Sequence, residues 1–392
     1  MLRLFRSRPD FRRLFLANSV SRAGDTFNTV ALLVLVFNLT GSGLGVAGAV
    51  MFEVLPVLFL GPIAGLAVDR FSRRRLMIGA DMARAVFAMG LVLSTHSVAS
   101  AYLVAFGLSA GAVVFNPAAS SLLPEVVGED EVIAANSALW TAAVIAQVAL
   151  APTAGYVIAR FGVEAAFAVN AATFVASSTF LVGLRAGRKP AAVAARGWAG
   201  LLGGLQAVRG NPLLVRLAIV QVLASMSAGA TSGLLIVLSE RWLGVGPGGF
   251  GILLAAIGVG AALGPLLLRR FIRVGDRRWL FGPFAVRGGV DLTLAAVANP
   301  VVAGSALVVY GMSTSTGMVA YQSTLQTVVP REARGRTFAF YDFLWNMARL
   351  LSLAAGGVVA ELADVRIVYA AAGVLLFAAA AVGLTTRLGA RE

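Results

Sequence analysis

Apolar stretches of about twenty residues follow one another along almost the whole chain, separated by short arginine-bearing connections. Each is long enough to cross the hydrocarbon of a bilayer as a helix, and a backbone in lipid must satisfy its own hydrogen bonds. Composition agrees with this reading. Of the 392 residues 59% are hydrophobic and 13% charged, and the mean hydropathy is +0.86, whereas soluble domains carry about a quarter charged residues. The expectation is an all-α membrane protein with no sizeable soluble domain, which excludes most enzymes.

The runs lie at roughly 13–38, 46–68, 76–95, 99–121, 137–159 and 165–184, then 213–239, 249–268, 279–298, 301–327, 337–360 and 367–386. Twelve transmembrane helices are therefore expected. The arginine-rich amino terminus has the outline of a signal peptide. Its first apolar run, however, holds Arg22 and Asp25 and is too long for one, so it is read as a retained first helix.

A formal charge of +14, from 32 basic and 18 acidic residues, would suggest nucleic acid if it formed a patch on a soluble fold. Here it is topological. Of the 32 basic residues 25 fall in the termini and the even-numbered connections and four inside the spans, leaving Arg160, Arg241 and Arg366 on the other side, so both termini are expected to be cytoplasmic in a cytoplasmic-membrane protein. Cysteine is absent and His96 is the one histidine, which excludes a disulfide framework, a thiolate nucleophile and a zinc site. The single lysine, Lys189, stands in Gly187-Arg188-Lys189-Pro190, so no phosphate-cradling loop and no ATPase are expected. Neither metal nor cofactor is implied.

The two halves match at an offset near 203. Arg13-Leu14 meets Arg216-Leu217, Arg75 meets Arg278 and Arg84 meets Arg287 at that offset; Gly65 meets Gly264 at 199, Leu139-Trp140 meets Leu344-Trp345 at 205 and Pro124 meets Pro330 at 206. Two parallel six-helix pseudo-repeats with a site at their interface are the plan of many secondary transporters. The expected division is 1–184, a cytoplasmic linker 185–212 and 213–392. Trp198, Leu201, Leu202, Leu205 and Val208 in the linker are spaced for an interfacial amphipathic helix.

The connection after the second span reads Gly65-Leu-Ala-Val-Asp69-Arg70-Phe-Ser72-Arg73-Arg74-Arg75, a small residue for helix approach followed by an acid and clustered cations. This resembles the loop signature of the major facilitator superfamily, with Ser72 where glycine is usual. The resemblance implies a cytoplasmic latch through Gly65, Asp69, Arg70 and Arg74; the second copy has Arg269 in place of the acid, which makes the latch asymmetric. Asp10-Phe11-Arg12-Arg13-Leu14, Ser21-Arg22-Ala23-Gly24-Asp25, Leu123-Pro124-Glu125-Val126-Val127, Ala135-Asn136-Ser137 and Val329-Pro330-Arg331-Glu332-Ala333-Arg334-Gly335-Arg336 extend the likeness over nearly the whole chain. Together they are similar to the enterobactin-exporter and macrolide-efflux branch, also called transmembrane secretion effectors. Two antiporter features are absent or reduced: the fourth span carries no arginine at Gly107-Leu-Ser-Ala-Gly111, and the fifth keeps only Ala151-Pro152-Thr153-Ala154-Gly155.

Charges inside the spans mark candidate sites, because an ionisable group in hydrocarbon is costly unless paired or turned to a water-filled cavity. Asp25, Glu53, Arg84, Asp291 and Arg349 fall near mid-span, with Arg22, Asp81, Arg287 and Asp342 nearer the cytoplasmic face. Spacing of three or four predicts the pairs Arg22 with Asp25, Asp81 with Arg84, and Arg287 with Asp291. Asp25, Glu53, Asp291 and Asp342 are the candidate proton-coupling carboxylates; Glu53 has no opposite charge within a turn. His96 falls in an external turn and is read as solvated. The resemblance places spans 1, 4, 7 and 10 around a central cavity. Their polar, methionine and aromatic residues are then the candidate substrate contacts: Arg22, Asn28 and Thr29; Phe115 and Asn116; Gln221, Ser225 and Met226; and Tyr310, Met312, Ser313, Thr316, Tyr321 and Gln322.

The reading is a monomeric secondary transporter working by alternating access and exporting an amphipathic drug, siderophore or secondary metabolite in exchange for protons, without an ATPase subunit. A proton-coupled or facilitative importer, and a non-transporting scaffold or receptor, are the alternatives.

Overall fold

The computed structural model describes residues 5, 7–186, 197–268, 276–329 and 333–385, apart from the side chains of residues 62, 69, 197–201, 230 and 268. The Asp69 side chain, those of Trp198 and Leu201, and the expected landmarks Lys189, Arg269, Pro330 and Arg331 lie outside the described residues. Among the described residues there is no strand. The long helices are α1 (Pro9–Thr40), α2 (Gly43–Arg70), α3 (Arg73–Val92), α4 (Val98–Val127), α5 (Val132–Phe161) and α6 (Val163–Val182). The shorter α7 (Gly197–Arg209) precedes α8 (Pro212–Gly233), α9 (Gly246–Leu268), α10 (Arg277–Ala296), α11 (Pro300–Val328), α12 (Arg334–Leu362) and α13 (Val365–Leu384).

Ten of these helices are long and apolar enough to cross a membrane. Two more, α3 and α10, have 20 residues each but carry the arginines of their first turns and the buried charges Asp81, Arg84, Arg287 and Asp291. Bulky apolar side chains such as Val86, Leu103, Ile145, Leu351 and Val374 are exposed along the helices. Lipid is the solvent that such surfaces require, since water would penalise them.

Helix ends lie where short polar side chains take up free amides. Ser72 and Ser97 accept from the amides of Arg75 and Ser100 at the starts of α3 and α4, Asp276 from Arg278 at α10, Asn299 from Val301 and Val302 at α11, and Asp364 from Arg366 at α13. The serine that replaces the customary glycine of the loop signature thus caps α3. Most helices overrun the apolar stretches by a few residues, because hydropathy marks the hydrocarbon and the backbone continues beyond it. In the seventh stretch α8 ends at Gly233. A short helix over Leu235–Val237 and a π-helical turn over Leu238–Trp242 follow it.

The chain forms two compact units, residues 1–41 with 52–197 and residues 42–51 with 198–392. In the first, α1 packs against α4, α5 and α6, while α3 lies between α6 and α4. In the second, α8 packs against α12 and α13, α10 against α13 and α11, and α11 against α9. Pair for pair, α1–α5, α1–α6, α3–α6 and α3–α4 recur as α8–α12, α8–α13, α10–α13 and α10–α11. Small residues permit the closest approach: a Cβ on Gly260 or Gly311 would collide with the facing backbone in the α9–α11 contact. The core of the first unit is built on Phe11, Leu14, Met77, Phe115 and Leu122. That of the second is built on Leu217, Leu280, Phe281, Tyr341 and Leu376. In α7, Val208 enters this second core, Leu202 is exposed, and the backbone at Gly204 lies against Arg336 and Phe340 at the start of α12.

Candidate functional site

In the first unit the polar interior is organised by Arg84 on α3. Its Nη2 donates to Oδ1 of Asp25 on α1 at 2.5 Å, and its Nη1 to Oδ1 of Asp81 at 3.4 Å and to Ser21 Oγ at 3.2 Å. The guanidinium also stands 4.0 Å from the centroid of the Phe174 ring on α6. Ser177, also on α6, donates to Oδ2 of Asp81 at 2.6 Å. Room for the arginine stem comes from Gly111 on α4, where a Cβ would strike Cγ and Cδ of Arg84. Arg84 and Asp81 are buried, whereas the Asp25 side chain is 40% exposed.

This corrects one expected pair. Spacing matched Asp25 with Arg22 on its own helix, but Asp25 bonds across to Arg84, and Arg22 is exposed with no side-chain ion pair among the described residues. A guanidinium fixed from three helices offers Asp25 a preorganised partner, which an exposed side chain on the same helix cannot. The pair Asp81 with Arg84 is present as spaced.

The second unit keeps the arginine and changes its partner. Arg287 donates from Nη2 to Tyr310 Oη at 2.9 Å and lies 4.7 Å from the centroid of that ring. Its expected ion pair with Asp291, one turn along α10, is absent among the described residues. Asp291 is buried and accepts instead from Ser227 at 3.2 Å and Thr231 at 3.4 Å, and its Oδ1 has no partner among the described residues. Tyr310 gives Arg287 both a hydrogen bond and an aromatic face, and so competes successfully for the guanidinium.

Two cavities occupy corresponding places in the units. The first, about 210 Å³, lies among α1, α4 and α5 and is lined by Asn18, Arg22, Asn116, Ser120, Asn136 and Trp140 with apolar neighbours. The second, about 230 Å³, lies among α8, α10, α11 and α12; its polar wall includes Gln221, Arg287, Ser313, Gln322 and Asp342, and Tyr321 and Trp345 add aromatic area. Arg22, Asn116, Gln221, Ser313, Tyr321, Gln322 and Asp342 are thus candidates that border a cavity.

The other candidates are placed elsewhere. Phe115 is buried in the core of the first unit. Asn28 is buried on α1, and Thr29 is exposed and donates to the Asp25 carbonyl at 2.9 Å. Ser225 donates to the Trp345 carbonyl at 2.5 Å, while the Met226 carbonyl accepts from Ser352. Thr316 is turned onto its own helix, donating to the Met312 carbonyl at 2.7 Å. Glu53 is half-buried on α2, where its carbonyl accepts from Ser109 at 2.5 Å. His96 is exposed. Sequence reasoning missed Asn18, Ser120, Asn136, Trp140 and Trp345; the match of Trp140 with Trp345 across the repeats was their available signal.

Of the loop signature, Arg70 is exposed and Gly65 half-buried. Arg74 is turned inward, donating from Nε to the Leu181 carbonyl at 3.0 Å and from Nη2 to that of Val182. Arg73 pairs with Glu125 at 2.8 Å.

The fold has known counterparts. A family model described as transmembrane secretion effector matches residues 5–392. The uncharacterised MFS-type transporter YfiS of Bacillus subtilis (strain 168) is 28% identical, over 98% of this chain and 94% of its own. The multidrug efflux pump Tap of Mycolicibacterium fortuitum is 29% identical, over 89% and 88%. Among solved structures, a point mutant of the nucleoside transporter NupG superposes with a TM-score of 0.80 over 96% of this chain and 99% of that one at 14% identity, a likeness of fold. The chain is a multi-pass membrane transporter of the major facilitator superfamily, and within it belongs to the transmembrane secretion effectors.

Proposed function

We propose that this transporter exports amphipathic small molecules from the cytoplasm by alternating access, as a proton antiporter of the cytoplasmic membrane with twelve spans and both termini inside. The observation that carries the coupling is the arrangement of two carboxylates around one buried guanidinium. Asp81 is enclosed, held by Ser177 and bonded to Arg84 on its own helix, so it serves as the fixed counter-charge. Asp25 is the accessible member and bonds Arg84 from another helix. Protonating Asp25 weakens the tie between α1 and α3, and losing the proton restores it; a buried charge left with one partner fewer is costly, so the two states differ in helix packing.

Export is supported by the relative whose name describes a multidrug efflux pump and by cavity walls that mix aromatic area with a few polar groups, as ligand pockets do. The cytoplasmic latch, with Asp69 and Arg70 as its members, opens and closes the inner face. Arg74 is assigned to capping α6, since its donors are engaged there. The transporter is monomeric.

The test is uptake of a fluorescent amphiphile into proteoliposomes of purified protein. The expected result is accumulation driven by an imposed pH gradient, acid inside, and collapsed by a protonophore. Accumulation indifferent to the gradient would remove proton coupling, and binding without uptake would turn the reading toward a receptor.

A further inference from the structure

The two cavities are repeat-related and carry opposite accessible charge. Asn18 and Gln221 stand 203 positions apart on α1 and α8, Ala119 and Gln322 the same distance apart on α4 and α11, and Trp140 and Trp345 205 apart on α5 and α12. The shared frame is thus an amide on the first helix of the repeat and an indole on the fifth. Two substitutions within it set the charge. Arg22 lines the first cavity, whereas the position 203 further on is Ser225, buried and bonded to the Trp345 carbonyl. Asn136 lines the first cavity one turn before Trp140, whereas the position 206 further on is Asp342, which lines the second just before Trp345.

The charges are available to a ligand. Arg22 and Asp342 are both exposed, and neither side chain enters an ion pair or hydrogen bond among the described residues. Other ionisable groups nearby are committed: Asp25, one turn from Arg22, bonds Arg84, and Arg287 in the second cavity is buried and bonded to Tyr310. Volumes of about 210 and 230 Å³ are below the roughly 300–1,000 Å³ of pockets for whole drug-sized ligands. Each cavity therefore suits one charged group with an apolar or aromatic portion.

We propose that the cavities are separate sites of opposite specificity, the Arg22 cavity taking the carboxylate or other anionic group of an amphiphile and the Asp342 cavity an amine. Arg22 supplies the planar fork that matches a carboxylate, with the amides of Asn18, Asn116 and Asn136 as further donors. Asp342 supplies the counter-charge for an ammonium, and the Trp345 indole an aromatic neighbour that favours a cation. Each site is built within its own unit, so the charge it recognises follows from that unit alone. The assignment rests on the transporter reading and narrows its substrate class.

The experiment is equilibrium binding of naphthylalanine to the purified full-length protein in four forms: free, N-acetylated, amidated at the carboxyl, and capped at both ends. The acid-only form is expected to lose about tenfold in affinity in Arg22→Gln and to keep it in Asp342→Asn. The amine-only form should do the reverse, and the free form should respond to both. Arg22→Lys keeps the preference for the acid. Equal weakening of all four forms in either variant, equal affinity of all four for the unsubstituted protein, or binding of none, would overturn the assignment of opposite specificities. Uptake into proteoliposomes separates this from the transporter reading: uptake without charge discrimination removes the two specificities alone, and discrimination in binding without uptake removes transport alone.

Discussion

Arg74 and Arg277 stand 203 residues apart, and each donates to the carbonyl 107 positions further along the chain, Leu181 for the first and Leu384 for the second. The same contact, the first turn of one helix closing the carboxyl end of another, is made in both repeats. Free carbonyls at a helix end attract a cation, so arginines that read as loop charges hold α3 to α6 and α10 to α13.

Removing these caps should lower stability unequally. Arg74 reaches two carbonyls, one at 3.0 Å, while Arg277 reaches one at 3.5 Å. Arg74→Ala is expected to cost about 1–2 kcal/mol and Arg277→Ala less than half of that. Thermal unfolding in detergent checks it, and an unchanged Arg74→Ala melting temperature with transport lost would return Arg74 to the latch.

Arg84 should be the most damaging single removal in the first unit. Arg84→Leu leaves Asp81 buried without its cation, which costs about 3–5 kcal/mol. The companion change Asp81→Asn in the same chain is expected to recover a large part of it. A double-mutant cycle on detergent unfolding reads the coupling; additive effects would contradict the pairing.

The two buried aspartates should behave differently. Asp81 is bonded to Arg84 and Ser177, whereas Asp291 has two hydroxyl donors, no ion pair among the described residues and one unpartnered oxygen. Asp291→Asn is expected to change stability by less than about 1 kcal/mol, while Asp81→Asn destabilises by more. The same unfolding assay compares them.

Gly111 should tolerate no side chain. Gly111→Val forces the Arg84 stem from its seat, and overpacking of this kind costs about 1–3 kcal/mol before the lost contacts to Asp25 and Phe174 are added. Reduced yield of monodisperse protein on size-exclusion chromatography is the expected outcome.

Much of the fold is legible from hydropathy and arginine placement because lipid imposes one demand on every span: an apolar surface and internally bonded backbone. The repeat was legible at Arg84 and Arg287 because a buried cation is hard to move. Its partners were not, since spacing along a helix sees only neighbours on that helix; Asp25 left Arg22 for Arg84, and Arg287 left Asp291 for Tyr310, by contacts between helices. Trp140 and Trp345 were visible as a repeat match, yet only the packing of α1, α4 and α5, and of α8, α10, α11 and α12, made them cavity walls. Ser225 and Thr316 passed for cavity residues because a hydroxyl that bonds a neighbouring carbonyl has the same sequence signature as one that awaits a ligand.

Proton movement during exchange tests the coupling at Asp25 most directly. Proteoliposomes preloaded with an amphiphilic substrate and an internal pH dye are diluted into substrate-free, lightly buffered medium, with the unsubstituted protein and with Asp25→Asn. The unsubstituted protein should acidify the lumen as substrate leaves, whereas Asp25→Asn should move no protons there, yet still exchange internal for external substrate in a parallel dilution into substrate-containing medium. Substrate efflux without a pH change in the unsubstituted protein, or the same acidification in Asp25→Asn, would contradict coupling at the Asp25–Arg84 pair.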